Sequence, residues 1–296
     1  MSEVILELRG VHKSFGRAGA KPVLTGVDLA ISRGRVLGLL GKNGAGKTTL
    51  LKCALGLMRM SAGTATIFGE DSWNLSAEAK ARIGYVPQKL EFQGWLKVRQ
   101  TLAYFGSFYP RWNGVLVELL RERWELDAEA RVGTLSAGQV QKLGLLVAMG
   151  HEPELLVLDE PAASLDPEAR RAFLAAVVDI AADWRRTVIL STHLTSDLER
   201  VATDIVILKN GTVFYDGAMD DLKESVRSLV VTSDRALPSR ADIPGVLAYE
   251  IMGNHAVITL AGVTPSLVDE LERTYKADVE VRDLTLEDIF VEMHRG

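Results

Sequence analysis

Val36-Leu37-Gly38-Leu39-Leu40-Gly41-Lys42-Asn43-Gly44-Ala45-Gly46-Lys47-Thr48-Thr49-Leu50-Leu51-Lys52-Cys53-Ala54-Leu55 is the segment around which the rest of the chain can be organised. Val36 to Leu40 form an apolar run of the kind a strand covered on both faces requires, and the run from Thr48 to Leu55 reads as a helix. Between them, residues 41–48 fit G-x-x-x-x-G-K-[ST] without a mismatch. Glycines at 41, 44 and 46 let the backbone wrap so that several N–H groups converge at a helix N-terminus, where an anion is favoured. In such a phosphate-binding loop (P-loop) Lys47 reaches the β- and γ-phosphates, and the Thr48 hydroxyl is placed to ligate Mg²⁺. A triphosphate is the expected ligand.

A second element lies downstream. Leu155-Leu156-Val157-Leu158 reads as another buried strand and ends in Asp159-Glu160. Two acids at the carboxyl end of such a strand sit at the ligand edge of an open α/β sheet. Asp159 is expected to hold Mg²⁺ through its water shell, and Glu160 to orient and polarise an attacking water.

Leu135-Ser136-Ala137-Gly138-Gln139 lies between the two. It resembles the LSGGQ signature of the nucleotide-binding subunits of ABC transporters, with Ala137 in place of the first glycine, and the resemblance extends over roughly residues 3 to 222. It implies that Ser136, Gly138 and Gln139 open a helix whose hydroxyl and amides contact the γ-phosphate held by an opposite subunit, a role suited to a helix N-terminus. It also implies that Asn43, Gly44, Gly46, Lys47, Thr48 and Thr49 bind ATP, with Thr48, Asp159 and Gln88 around Mg²⁺. Glu160, His193 and Gln88 are then the catalytic residues. Gln88, in Tyr85-Val86-Pro87-Gln88, matches the family's Q-loop. Ser164-Leu165-Asp166-Pro167 matches its D-loop, and His193 the switch histidine. Phe15 matches the aromatic that stacks on adenine, although taken singly it reads as a core residue. Asp166 and Pro167 also make a good N-cap and first residue for a helix from Glu168 to Trp184.

Length and composition agree. The chain of 296 residues can hold one sizeable domain and a smaller one. Hydrophobic residues make up 47% and charged residues 25%, an ordinary globular balance. A net charge of -5 gives no reason to expect nucleic acid, whose partners carry basic surfaces. The single cysteine, Cys53, excludes an internal disulfide and fits a reducing compartment. No stretch approaches the roughly 18 apolar residues of a membrane span, and the N-terminus lacks a basic-then-apolar signal.

The expected fold class is α/β: a P-loop NTPase core with an antiparallel β subdomain and a helical insert, plus a small C-terminal α+β domain. Val4 to Leu8 and Val23 to Leu29 read as antiparallel strands, and Lys209-Asn210-Gly211-Thr212 as a hairpin turn. The ATPase domain is expected over residues 1–222, with the helical insert at about 89–139. The insert is rich in aromatics: Phe92, Trp95, Tyr104, Phe105, Phe108, Tyr109, Trp112 and Trp124. Most are expected to be its core. The resemblance implies that part of Leu90 to Tyr109 receives a coupling helix from a membrane subunit. Residues 223–296 should form strands, a helix from about Pro265 to Tyr275, and a closing helix with Leu286, Ile289, Phe290 and Met293 on one face. This tail resembles the extension of ATPases serving ABC-2 type exporters.

The function implied is ATP hydrolysis by a dimer around two MgATP, most simply a homodimer. It would drive export through separate polytopic permease subunits at the cytoplasmic face of the cell membrane, with no nucleic acid involved. A soluble ABC ATPase that remodels a protein complex and an importer ATPase are the alternatives.

Overall fold

The computed structural model describes residues 3–16, 21–163, 165–182, 186–234, 237 and 245–293. The chain forms two compact units, Met1–Asp216 and Gly217–Gly296.

The first unit opens with β1 (Val4–Phe15) and β2 (Lys21–Ser32), antiparallel as their alternation requires. β3 (Val36–Leu40), wholly buried, leads through the glycine-rich loop into α1 (Lys47–Ala54). β4 (Ala62–Ile67) and β5 (Glu70–Asp71) return to the first strands and complete a sheet in the order β2-β1-β4-β5. A short α2 (Ala77–Lys80), capped by the Ser76 hydroxyl, precedes β6 (Ile83–Val86). The helical insert follows, with α3 (Val98–Gly106) and α4 (Gly114–Arg123), before α5 (Ala137–Met149) returns to the core.

β7 (Leu155–Asp159) is buried at every residue. α6 (Pro167–Ala181) is capped by the Asp166 carboxylate, which accepts from the amides of Glu168 and Ala169. The helix anticipated from Glu168 begins one residue earlier and ends at Ala181; Trp184 and the D-loop Ser164 lie outside the described residues. β8 (Thr187–Thr192), α7 (Thr195–Val201), β9 (Asp204–Lys209) and β10 (Thr212–Ala218) complete the core. Asn210 and Gly211 both take left-handed backbone, φ 51° and 78°, as a two-residue hairpin turn between β9 and β10 demands.

The central sheet runs β10-β9-β3-β8-β7-β6, parallel across β9-β3-β8-β7-β6. Strands buried on both faces read as unbroken apolar runs, which is why β3 and β7 stood out in the sequence. Register places the functional edge. Leu40 lies opposite Thr192, and Asp159 opposite Ser191. The phosphate loop, the acidic pair and His193 therefore leave three adjacent strands at one carboxyl edge.

The insert departs from the sequence expectation. Trp124 is buried, but Trp95, Tyr104 and Phe108 are 71%, 53% and 64% exposed. Apolar burial in this region falls instead to Val98, Leu102, Val117, Leu126 and Val132. The period of α3 explains part of the difference: Val98, Thr101 and Leu102 share the inward face, leaving Tyr104 on the opposite one, and Phe108 follows in the turn after the helix. Trp112 is half-buried in slots left by glycine. A Cβ at Gly150 would lie 2.2 Å from its ring, and one at Gly106 2.9 Å.

The second unit contains α8 (Met219–Ser225), β11 (Val226–Ser233), β12 (Val246–Met252), β13 (His255–Ala261), α9 (Pro265–Tyr275), β14 (Ala277–Asp283) and α10 (Leu286–Glu292). Its strands form an antiparallel sheet in the order β12-β13-β11-β14. One face packs Leu229, Val231, Ile258, Leu260 and Val279 against Leu271 of α9. Leu286, Ile289, Phe290 and Met293 are all buried, as the periodicity of the closing segment implies.

Candidate active site

The site is assembled by the loop between β3 and α1. Gly44 and Gly46 take φ of 84° and 107°, conformations that L side chains rarely adopt. Gly46 N-caps α1 with no side-chain bond, so the first amides of that helix stay open to a ligand. The Lys47 side chain is folded beneath the loop, 5% exposed, and its Nζ donates to the Gly41 carbonyl at 2.7 Å.

Opposite this loop stand the two acids. Lys47 Nζ lies 2.9 Å from Glu160 Oε1, and His193 Nδ1 lies 2.8 Å from Glu160 Oε2. Glu160 itself has φ 48°, and its amide accepts no freedom from the strand: it donates to both the carbonyl and the hydroxyl of Ser191. Asp159 Oδ1 accepts from Thr48 Oγ1 at 3.0 Å and from Ser191 Oγ at 2.7 Å. Its other oxygen, Oδ2, is buried and has no partner. A fully buried carboxylate oxygen without a donor carries a large desolvation cost unless a cation or water meets it. Beside it the Tyr85 hydroxyl is also buried and unpartnered. Burial, and then the Asp159 charge, push that phenol up to about 12, which keeps it protonated.

Lys47, Thr48, Asp159, Glu160 and His193 are thus joined in one hydrogen-bonded group. The other residues singled out in the sequence lie around it in different ways. Asn43 and Gly44 sit on the loop, exposed, and Thr49 is half-buried in the first turn of α1. Gln88 is exposed two residues beyond β6, and the pairing of Val86 with Leu158 puts it level with Glu160 at the same sheet edge. Phe15 ends β1 and is 40% exposed, so its core reading fails; the Lys13 ammonium stands 4.9 Å from its ring centroid.

Ser136, Gly138 and Gln139 make no bond to this group among the described residues. Ser136 and Gln139 instead close a capping box on α5: the Ser136 hydroxyl accepts from the Gln139 amide, and the Gln139 side chain from the Ser136 amide. Gly138 is buried for a packing reason, since a Cβ there would lie 2.9 Å from the Cβ of Ala169 on α6. Ala137 is exposed, in contrast to its buried neighbour Gly138. Ser191 is the residue that sequence reasoning passed over. Its signal was a polar Ser191-Thr192-His193 triplet closing an otherwise apolar strand.

No helix among the described residues is long and apolar enough to cross a membrane. Residues 24–163 match the family model described as "ABC transporter". A Nod factor export ATP-binding protein I of Rhizobium sp. (strain N33) is 36% identical over 229 residues, 76% of this chain and 74% of the relative. An uncharacterised ABC transporter ATP-binding protein of Bacillus subtilis (strain 168) is 32% identical over 235 residues, covering 77% of this chain and 76% of its own. A solved ATP-binding subunit of an ABC transporter superposes with a TM-score of 0.65 at 29% identity, covering 74% of this chain and 92% of that one. The phosphate loop, the paired acids and the helix-capping Leu135–Gln139 segment therefore belong to an ATP-hydrolysing protein, and the chain is a member of the ABC transporter ATP-binding subunit family.

Proposed function

We propose that this chain is the ATPase of an exporter whose transport path is formed by separate polytopic permease subunits, and that two copies close around two nucleotides to drive it. Lys47 carries the reading of the site. Its buried ammonium is held by two loop carbonyls and by Glu160, a position from which a short swing delivers it to the β- and γ-phosphates of ATP. That swing frees one oxygen of Glu160, which then takes the proton side of an attacking water while His193 steadies the other oxygen and faces the terminal phosphate. The orphaned Asp159 Oδ2 with the Thr48 hydroxyl beside it fits a hard divalent cation, which needs one or two carboxylates and completes its shell with water and phosphate oxygens. Bound there, Mg²⁺ would neutralise charge on the phosphates. Gln88 stands level with Glu160 and is free to reach the water.

Among the described residues, Ser136 and Gln139 bond to each other and not to the phosphate-loop group. Ser136 heads α5 with exposed side chain and helix N-terminus, and this is the surface that a second copy would offer to a γ-phosphate. ATP bridging two chains adds attraction that exists only when they are closed, so nucleotide shifts the population toward closure and hydrolysis releases it.

Export is supported by the relatives named for Nod factor export, which match three quarters of the chain. The exposed aromatic edge of the insert is the surface proposed to meet the permease. Phe92, Tyr104, Phe105 and Phe108 contact one another edge to face at 5.1–6.5 Å between centroids, with Trp95 exposed nearby in sequence. Location at the cytoplasmic face of the membrane follows from such a partner. Affinity purification from detergent-solubilised membranes tests this: a co-purifying polytopic chain supports it, and recovery with soluble proteins alone would favour a complex-remodelling ATPase.

A further inference from the structure

The turn carrying His193 is held from a direction unrelated to nucleotide. Asp197, in the first turn of α7, has a side chain only 4% exposed. Its Oδ1 accepts from Arg170 Nε at 2.6 Å, and the same guanidinium reaches Ser196 Oγ at 3.3 Å. No other cation pairs with Asp197 among the described residues. On its inner side, Oδ2 lies 3.4 Å from Thr192 Oγ1, which also accepts from the Leu194 amide at 3.0 Å. Thr192 and Leu194 flank His193, so that bond closes the turn from which the imidazole projects to Glu160. At the other end, the Arg170 amide donates to the carbonyl of Asp166, the cap of α6. A continuous path therefore runs from the α6 cap through Arg170 and Asp197 to the turn holding His193.

A buried carboxylate stays where its charged partner is; without one it must move toward water or take up a proton. We propose that Arg170 is a positioning residue for His193: by fixing Asp197 it sets the turn between β8 and α7, so that the imidazole faces the nucleotide only while the first turn of α6 is in place. This rests on the reading of His193 as the residue that meets the terminal phosphate. It also gives the segment preceding α6 a route to the chemistry that needs no contact of its own with ATP.

The test compares ATP hydrolysis by the full chain carrying Arg170→Met, Arg170→Lys, His193→Ala and Arg170→Met/His193→Ala. Arg170→Met is expected to lower kcat about 10- to 100-fold, the scale of a side chain misplaced by an ångström, with KM for MgATP changed less than about twofold. The double variant is expected to match His193→Ala, because residues acting through one another are not additive. Lysine restores charge without the fork and is expected to recover part of the rate. Arg170→Met/Asp197→Asn, which leaves no buried unpaired charge, keeps the question answerable if the single variant fails to fold, and is expected to be as slow as Arg170→Met. Slow His193→Ala with normal kcat for the Arg170 variants, or losses that multiply in the double variant, would overturn the inference and leave Arg170 a stabilising residue. Normal kcat for His193→Ala would instead remove the reading on which it rests, and the inference with it.

Discussion

Gly138→Ala adds one methyl to the first turn of α5, and the structure fixes what that methyl meets. Its Cβ would lie 2.9 Å from the Cβ of Ala169 on α6, with no longer side chain between them to yield. Carbon atoms in contact prefer about 3.5–4.0 Å, so the two helices must part by roughly 0.6–1.1 Å at this point. Packed interiors resist such insertion at about 1–3 kcal/mol. For a unit of this size, 2 kcal/mol corresponds to a fall in Tm of roughly 4–8 °C. Ala137→Gly, one residue earlier, places its change on an exposed position and should cost no more than about 1 kcal/mol of helix propensity. Thermal unfolding followed by circular dichroism, without nucleotide, measures both. The decisive variant is Gly138→Ala/Ala169→Gly, which moves the methyl from one helix to the other and should recover most of the loss. Gly138→Ala with an unchanged Tm, or a double variant no better than the single one, would refute the packing origin of this glycine and return its demand to the nucleotide alone.

Other perturbations separate stability from chemistry. Glu154 bonds Arg82 at 2.6 Å and also pairs with Arg33, and these bonds, opposed by partial burial, hold its carboxyl at about 2 against an ordinary 4.5. A folded-state pKa below the unfolded one means stability that is complete above pH 4.5 and drains away as pH falls toward 2. Glu154→Gln should therefore cost about 1 kcal/mol at pH 7, a value kept small by solvent screening, and progressively less in acid; a pH-independent difference in chemical denaturation would contradict this. His151, stacked at 4.1 Å on Tyr109 and bonded to the Ile83 carbonyl, is held below its usual range by burial, an effect only partly offset by that bond. Stability should be complete above pH 6.5 and fall below it, and His151→Phe should flatten that acid limb in denaturant titrations. Tyr104→Ser with Phe108→Ser changes two exposed aromatics, so Tm and the ATPase rate of the isolated chain should stay within error while transport by the assembled complex falls; equal transport would remove the proposed permease surface.

The reach of the sequence followed the range of the interactions. Val36 to Leu40 and Leu155 to Leu158 announced buried parallel strands because both faces must be apolar, and Asn210-Gly211 announced a hairpin because only left-handed residues fit it. The glycine-rich loop was legible for the same reason: its chemistry is local. The aromatics between Phe92 and Trp112 misled, since hydrophobic side chains without a clear period say nothing of which side they face; α3 turns Tyr104 outward, and Phe108 is exposed in the turn that follows it. Bonds across large separations were beyond reading. Ser191 meets Asp159 across 32 residues, Lys47 meets Glu160 from the start of α1, and Arg170 finds Asp197 across 27 residues. Gly138 looked like a chemical requirement, and only the packing of α5 on α6 revealed its second constraint.

The central claim is that nucleotide draws two copies together because each holds only half of what the phosphates need. Size-exclusion chromatography with light scattering on Glu160→Gln, which keeps the shape of the site and removes the base, tests it most directly. The expected result is monomer without nucleotide, dimer with MgATP, and monomer again when Ser136→Arg is added, since that change blocks the α5 N-terminus without touching the phosphate loop. A Glu160→Gln protein that binds MgATP with a measurable Kd yet stays monomeric at saturation would contradict the claim.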